Sequence, residues 1–314
     1  MERVLVKKIR LALFDNDGYM KSFVGYVCKK YRNIVETRLF TDFAMLEKQV
    51  QSGKIDVLLA SEEFVERFQL YSDQIPQMVF LSEGNMGKEK SKFPVIFKYQ
   101  AVSKIVKEIF ELMAENDRIS YHTEIVSKRT VEMICGYAPF GGGGVTEFLF
   151  QKAESLAKKR KVLYVNLEEF HGFSHVQKEK QGGMSEVLFY LRQKRGKLAL
   201  KLESVLYRKG DLACIFSVED YRDLHSMTKE DMAEFLQVLQ EQTEYEVFVF
   251  DIGFLGEAGI FLMERCDKIY MPRPENRIQS SKEEAFEKNL RASGQEKIIE
   301  KREWLMRPET GKRS

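Results

Sequence analysis

Apolar residues fall in short runs separated by amphipathic stretches, and this rhythm occurs twice along the chain. The first set of runs is IRLALF (9–14), IVETRLF (34–40), IDVLLA (55–60), QMVFL (77–81) and PVIFKY (94–99). Short runs rich in Val, Ile, Leu and Phe predict buried strands. Between them, 19–31 and 42–51 have helical spacing, and AVSKIVKEIFELMAE (101–115) reads as an amphipathic helix. The second set is TVEMICGY (130–137), KVLYVNL (161–167), LACIFS (212–217), EVFVFD (246–251) and KIYMP (268–272). Helices are predicted at 146–159, 183–194, 228–242 and near 255–265. Strands alternating with helices predict α/β architecture in two doubly wound parallel-sheet domains. The polar stretch between the sets places the domains at 1–117 and 130–314, with a linker over 118–129. The charged stretch from about Ser280 to Trp304 predicts a helix packed on the second domain.

A length of 314 residues agrees with two domains, and 44% hydrophobic residues suffice for two cores. The net charge of +2 argues against a dedicated nucleic-acid binder. Cys28, Cys135, Cys214 and Cys266 form no CxxC pair, so neither a zinc site nor a disulfide framework is expected. Cys135 and Cys214 lie in apolar runs and read as core residues. The N-terminus lacks a signal-peptide plan, and no run reaches the ~18 apolar residues of a membrane span. A cytoplasmic protein is expected, with membrane contact only peripheral.

The candidate chemistry centres on EMICGYAPFGGGGVTEFLF (132–150). An apolar strand enters four glycines, Gly141, Gly142, Gly143 and Gly144, followed by Val145, Thr146 and a helix-like run. Backbone N–H groups reach a phosphate closely only where glycine removes the side chains, and a helix start adds donors and dipole. The same layout also serves as a strand-to-helix turn without a ligand. YEVFVFDIG ends a second strand at Asp251, where a carboxylate suits a metal's water shell; KVLYVNLEEF carries Asn166 and Glu168 past its strand. In the first domain, Asp15 and Asp17 of FDND are either a weak cation site or favoured turn residues.

Other features read as structural. HGFSH spaces His171 and His175 four apart, but Gly172 and the lack of a third ligand predict a loop. KKRK (158–161) and RQKRGK (192–197) are flanked by acids and read as solvated. Ile298, Ile299, Trp304, Leu305 and Met306 form an apolar face expected to dock on its own domain. Ser217, Asp223 and His225 lack a nucleophile-elbow turn.

The first unit, over residues 8–116, resembles the receiver domain of two-component signalling. The acidic pair falls on Asp15 and Asp17, the strand-end hydroxyl on Ser82 and the strand-end lysine on Lys98. Ala60 and Ser61 stand where the phosphoacceptor aspartate belongs, so no acyl phosphate is expected. Residues 130–292 resemble the MinD/ParA class of P-loop ATPases, whose loop has the form K-G-G-x-G-K-[ST]. On this sequence its two lysines fall on Phe140 and Val145, its glycines on Gly141, Gly142 and Gly144, and its hydroxyl on Thr146. The class's two aspartates after the second strand fall on Asn166 and on Glu168, the water-orienting position; its Walker-B aspartate falls on Asp251.

Receiver-like followed by MinD-like is the order of the TadZ/CpaE pilus-assembly family, which the whole chain resembles. That resemblance implies a homodimer that localises and assembles a Tad/Flp-type pilus or secretion machine, at a cell pole or membrane periphery. Loop residues 141–146 would hold ATP, and Thr146 and Asp251 would hold Mg²⁺. Without the lysines, binding is expected to weaken and hydrolysis to be slow or absent. The contrasting expectations are an active ATPase switch on membrane or DNA, and a nucleotide-independent regulatory scaffold.

Overall fold

The computed structural model describes residues 5–6, 8–15, 18–32, 34–84, 92–119, 123–124, 130–170, 172–173, 183–193 and 197–305. The chain divides into two compact units, Met1–Lys128 with Lys197–Ser204, and Arg129–Gly196 with Val205–Ser314. Both are parallel-sheet α/β domains, as the two sets of apolar runs predict.

The first unit runs β1 (Leu5–Val6), β2 (Ile9–Phe14), α1 (Gly18–Lys30), β3 (Val35–Phe40), α2 (Phe43–Gln51), β4 (Val57–Ser61), α3 (Val65–Gln69), β5 (Gln77–Ser82), β6 (Val95–Phe97), α4 (Val102–Glu115) and β7 (Thr123–Glu124). Its main sheet has the order β3-β2-β4-β5-β6, with every neighbouring pair parallel. The order reverses between β2 and β4, so the crevice at their carboxyl ends is the natural ligand position. Asp42 caps α2 by accepting from the N–H groups of Ala44 and Met45. Phe14 of β2 packs edge-on against Phe43, Phe64 and Phe68, closing one face of the sheet.

The second unit begins with β8 (Glu132–Gly136), α5 (Val145–Ala157), β9 (Val162–Leu167) and α6 (Met184–Arg192). Helix α7 (Leu198–Val205) follows, most of it within the first unit, where Lys201 Nζ lies 2.8 Å from Glu111 Oε1. The second unit then continues with β10 (Tyr207–Lys209), β11 (Leu212–Ile215), α8 (Tyr221–His225), α9 (Lys229–Gln242), β12 (Val247–Ile252), α10 (Glu257–Arg265), β13 (Lys268–Met271), α11 (Arg277–Ala292), α12 (Lys297–Glu300) and β14 (Arg302–Trp304). Its sheet order is β10-β11-β9-β12-β8-β13-β14, parallel except for the β10–β11 hairpin. Strand β12, which ends at the candidate metal carboxylate, thus lies beside β8, which feeds the glycine loop. Helix α5 packs across β8, β9 and β12, and its Phe150 joins Tyr164, Phe173 and Phe216 in one aromatic core.

The C-terminal region departs from the single helix expected from Ser280 to Trp304. Gly294 takes a left-handed φ of 71° and ends α11, as a residue without Cβ readily does. A single turn, α12, then leads into β14, which pairs in parallel with β13. Arg302 donates to both Glu283 (2.8 Å) and Glu287 (2.6 Å) of α11, tying the added strand to the helix before it. Trp304 is therefore an edge-strand residue, with the Arg302 guanidinium 4.2 Å from its ring centroid. The apolar anchors expected here are partly borne out, since Ile298 and Leu305 are buried.

Candidate functional site

In the first unit, the carboxyl ends of β2, β4, β5 and β6 bring together Asp15, Ser61, Ser82 and Lys98. Lys98 is 2% exposed, which for a lysine requires paired charge. Its Nζ lies 2.7 Å from Glu83 Oε1 and 3.8 Å from Asp15 Oδ2. Ser61 donates to Asp15 Oδ2 at 2.8 Å, and Ser82 donates to the Gly84 carbonyl at 3.0 Å. Asp17 lies outside the described residues. The crevice keeps an acid, a hydroxyl and a lysine, and it has Ser61 where a carboxylate nucleophile would stand. Glu83, one residue past Ser82, is the partner that the sequence reading did not identify.

In the second unit, the loop after β8 carries positive φ at four successive residues: Gly141 (73°), Gly142 (69°), Gly143 (80°) and Gly144 (72°). Any other L-residue is strained there. Gly143 is doubly constrained, because a Cβ on it would lie 2.6 Å from Pro272 Cβ. Gly144 is the N-cap of α5 and makes no side-chain cap. The first helical bond from outside runs from Phe148 N–H to the Gly144 carbonyl. The N–H groups of Val145, Thr146 and Glu147 thus start the helix without partners among the described residues, as they would at an anion site. Val145 itself is buried and packs toward Gly136 and Leu149. Its side chain fills core at the edge of the cavity and offers a ligand no charge.

Register aligns the rest of the site. Asp251 of β12 pairs with Gly136 of β8 on one side and Asn166 of β9 on the other. Tyr164, two residues before Asn166 and on the same sheet face, donates its hydroxyl to Asp251 Oδ2 at 2.7 Å. Thr146 donates to Glu168 Oε1 at 3.0 Å. Asn166 Oδ1 accepts from Glu168 N–H at 2.8 Å, and Ser217 Oγ donates to the Glu168 carbonyl. Burial, and then the nearby Glu168 charge, push the Asp251 carboxyl up to about 7. Burial, then Asp251, push the Tyr164 hydroxyl well above its ordinary value. Thr146, Glu168 and Asp251 offer oxygen donors only, which suits a hard divalent cation. Among the described residues no group of three His, Cys, Asp or Glu side chains is arranged to hold a metal, so a cation here would also need oxygens from a ligand.

A cavity of about 660 Å³ lies over this surface, from the loop along α5 toward β10. It is lined by four carboxylates, Glu147, Glu154, Glu168 and Asp251. Among the described residues lining it, Lys209 is the one cation, and its Nζ lies 2.7 Å from Glu154 Oε1.

The structure thus brings Gly141 to Gly144, Val145, Thr146, Glu168 and Asp251 to one place. Tyr164 was missed in sequence, although a tyrosine inside an apolar strand signals that its hydroxyl needs a buried partner. The remaining features stay apart from this site or lie outside the described residues. His171 and His175 lie outside them. His225 meets Glu169, while Ser217 meets a carbonyl, so they are not arranged as a nucleophile and base. Of the basic runs, Arg160 pairs with Glu132, Lys161 with Glu244 and Arg192 with Asp231. Among the described residues, no helix is long and apolar enough to cross a membrane.

Residues 7–114 match the family model of the TadZ-like receiver domain. No curated protein matches the chain in sequence. Among solved structures, the chain is similar to a ParA family ATPase from Chlorobium tepidum TLS, at 14% identity and a TM-score of 0.47, covering 59% of this chain and 77% of that one. It is similar to a plasmid partition protein from Borrelia burgdorferi, at 16% identity and a TM-score of 0.42, covering 58% and 84%. It is also similar to cobyrinic acid a,c-diamide synthase from Mycobacterium smegmatis, solved with a bound ATP analog and magnesium, at 14% identity and a TM-score of 0.41, covering 55% and 72%. These likenesses carry no residue roles. The part of the chain that matches the TadZ-like receiver domain, residues 7–114, is joined to a second parallel α/β domain that carries the glycine loop.

Proposed function

We propose that this protein is a TadZ/CpaE-like localisation and assembly factor for a Tad/Flp-type pilus or secretion machine. It acts in the cytoplasm, at a cell pole or membrane periphery, as a homodimer. Its second domain holds ATP as a structural ligand and turns it over little or not at all. The observation that carries this reading is the uncapped start of α5 behind four positive-φ glycines, beside Thr146 and Asp251, with Phe140 and Val145 at the lysine positions.

The loop offers backbone donors to phosphate. Mg²⁺, where bound, would meet Thr146 and the water shell held by Asp251, and would neutralise phosphate charge. Transition-state charge is the larger electrostatic demand of phosphoryl transfer, and neither Phe140 nor Val145 meets it. Equilibrium binding of Mg·ATP, phosphate release and the oligomeric state with and without ATP test the three parts. Steady release that is lost in Asp251→Ala would instead establish an active switch. The four carboxylates around the cavity favour a second reading, a nucleotide-independent scaffold. Absence of ATP binding together with an intact dimer would establish that reading.

A further inference from the structure

Helix α11 fully buries only Leu290. Its inner side is taken up within the second domain: Glu283 and Glu287 hold Arg302, and Phe286 meets the ring of Tyr137. At about 100° per residue, Arg277, Ile278, Ser281, Lys282, Ala285 and Lys288 fall within about 140° on the side away from those contacts. All six are exposed, Ile278 to 73%. That side carries three cations and no carboxylate; Glu284 lies at its margin. Among the described residues, none of the three cations is in an ion pair, because the acids of α11 that are paired turn to Arg302 and Arg291. The basic runs at 158–161 and 192–197 differ, since Arg160, Lys161 and Arg192 are paired. An open hollow of about 440 Å³ lies along the same side, lined by Arg277, Ile278, Ser281, Lys282 and Ala285.

Unpaired cations gathered on one face attract an anionic partner. Two copies of this face set against each other would place like charges opposite, so it does not pair with itself. Nucleic acid would leave the most exposed side chain, Ile278, against phosphate. A stable protein contact takes roughly 800 Å² per partner and large anchoring side chains, whereas this face has one large apolar residue. An anionic lipid surface needs neither. Cations meet the headgroup phosphates, and a single isoleucine reaches the acyl boundary. From Arg277 to Lys288 the helix advances about 16 Å, so a flat surface meets all three cations at once. We infer that the face of α11 formed by Arg277, Ile278, Lys282 and Lys288 docks on an anionic membrane surface. The inference rests on the placement at a membrane periphery proposed above, and it names the surface that makes the contact.

The test is co-sedimentation of the full chain with vesicles of equal parts phosphatidylglycerol and phosphatidylcholine, and with vesicles of phosphatidylcholine alone. Each cation at an anionic surface strengthens binding about fivefold, so three give about a hundredfold preference for the anionic vesicles. The triple variant Arg277→Gln, Lys282→Gln, Lys288→Gln should lose that preference. Lys282→Gln alone should weaken binding about fivefold, and Ile278→Ser about tenfold. All four side chains are exposed, so melting curves of the variants should match that of the unaltered chain. Anionic binding that survives the triple variant would overturn the assignment to α11 and leave the membrane placement standing. Unchanged binding by Ile278→Ser would overturn the docking geometry. Binding of duplex DNA or of polyglutamate in place of vesicles would overturn the inference and reassign the face to nucleic acid or to an acidic protein. No vesicle binding by the unaltered chain would remove the inference together with the membrane placement, and the ATP-binding and dimer readings would still rest on their own measurements.

Discussion

Tyr164 donates its hydroxyl to Asp251 across adjacent strands, 87 residues apart in sequence and 2.7 Å apart in space. Both side chains are buried, so each depends on the other. The bond holds the carboxylate near the end of β12. Tyr164→Phe keeps the ring packing and removes only the hydroxyl. It should destabilise the second domain by about 1–3 kcal/mol, the cost of leaving a buried acceptor short of a donor. Urea unfolding followed by a probe in that domain reads the change.

Asp251 also makes stability depend on pH. Its carboxyl is raised from 3.8 to about 7, so the folded state holds a proton that the unfolded state has already released. The stability this contributes is fully present below about pH 4 and is lost as pH rises through about 7. The urea midpoint of the second domain should fall as pH rises from about 4 to about 7. Asp251→Asn, which cannot ionise, should flatten that slope.

The loop is predicted to tolerate change unevenly. Gly143→Ala must place a methyl 2.6 Å from Pro272 Cβ at a φ of 80°, whereas Gly142→Ala meets open space at a φ of 69°. Gly142→Ala should cost about 1 kcal/mol for the left-handed backbone alone. Gly143→Ala should cost clearly more, about 2–4 kcal/mol, because the overlap adds to the strain. Thermal unfolding of the two variants side by side gives the order.

Much of this was legible in sequence. Runs such as 55–60 and 246–251 fall on β4 (Val57–Ser61) and β12 (Val247–Ile252) because buried parallel strands leave an almost continuous apolar signature. The loop and Asp251 were legible because glycine and a strand-end carboxylate have local reasons to be there. What local pattern lacks is tertiary. Nothing in KLALKLES marks residues 197–204 as belonging with the first unit, since that grouping is made by contacts far off in sequence. The three residues of β14 are too few to show a period of two, and their charged flanks read as helix. The Tyr164–Asp251 bond needs the β9–β12 register, which the sequence does not state.

Val145→Lys tests what the missing cation costs. A lysine there would restore a charge-assisted contact to phosphate, generally worth about 1.5–3 kcal/mol. Mg·ATP affinity should tighten about ten- to a hundredfold at 1.4 kcal/mol per decade. The same substitution removes a buried apolar side chain and should lower the melting temperature of the ligand-free protein. Calorimetric titration and a melting curve separate the two effects.

In the first domain, Lys98→Ala removes the ammonium facing buried Asp15 and leaves only the Ser61 hydroxyl of the contacts described above. Breaking a buried pair from one side should destabilise that domain by about 3 kcal/mol. Lys98→Met, which keeps the volume, should be destabilised by nearly as much if charge, rather than packing, is the cause. Chemical denaturation read from the first domain distinguishes them.

The central claim is that the glycine loop holds ATP without consuming it. The most direct test is the chromatographic identity of the nucleotide that remains bound after the full chain is incubated overnight with ATP and Mg²⁺. The account predicts ATP, near one per chain at saturation and still unconverted. Bound ADP with free phosphate would contradict it by showing turnover, and recovery of protein with no nucleotide would contradict it by showing that the loop holds none.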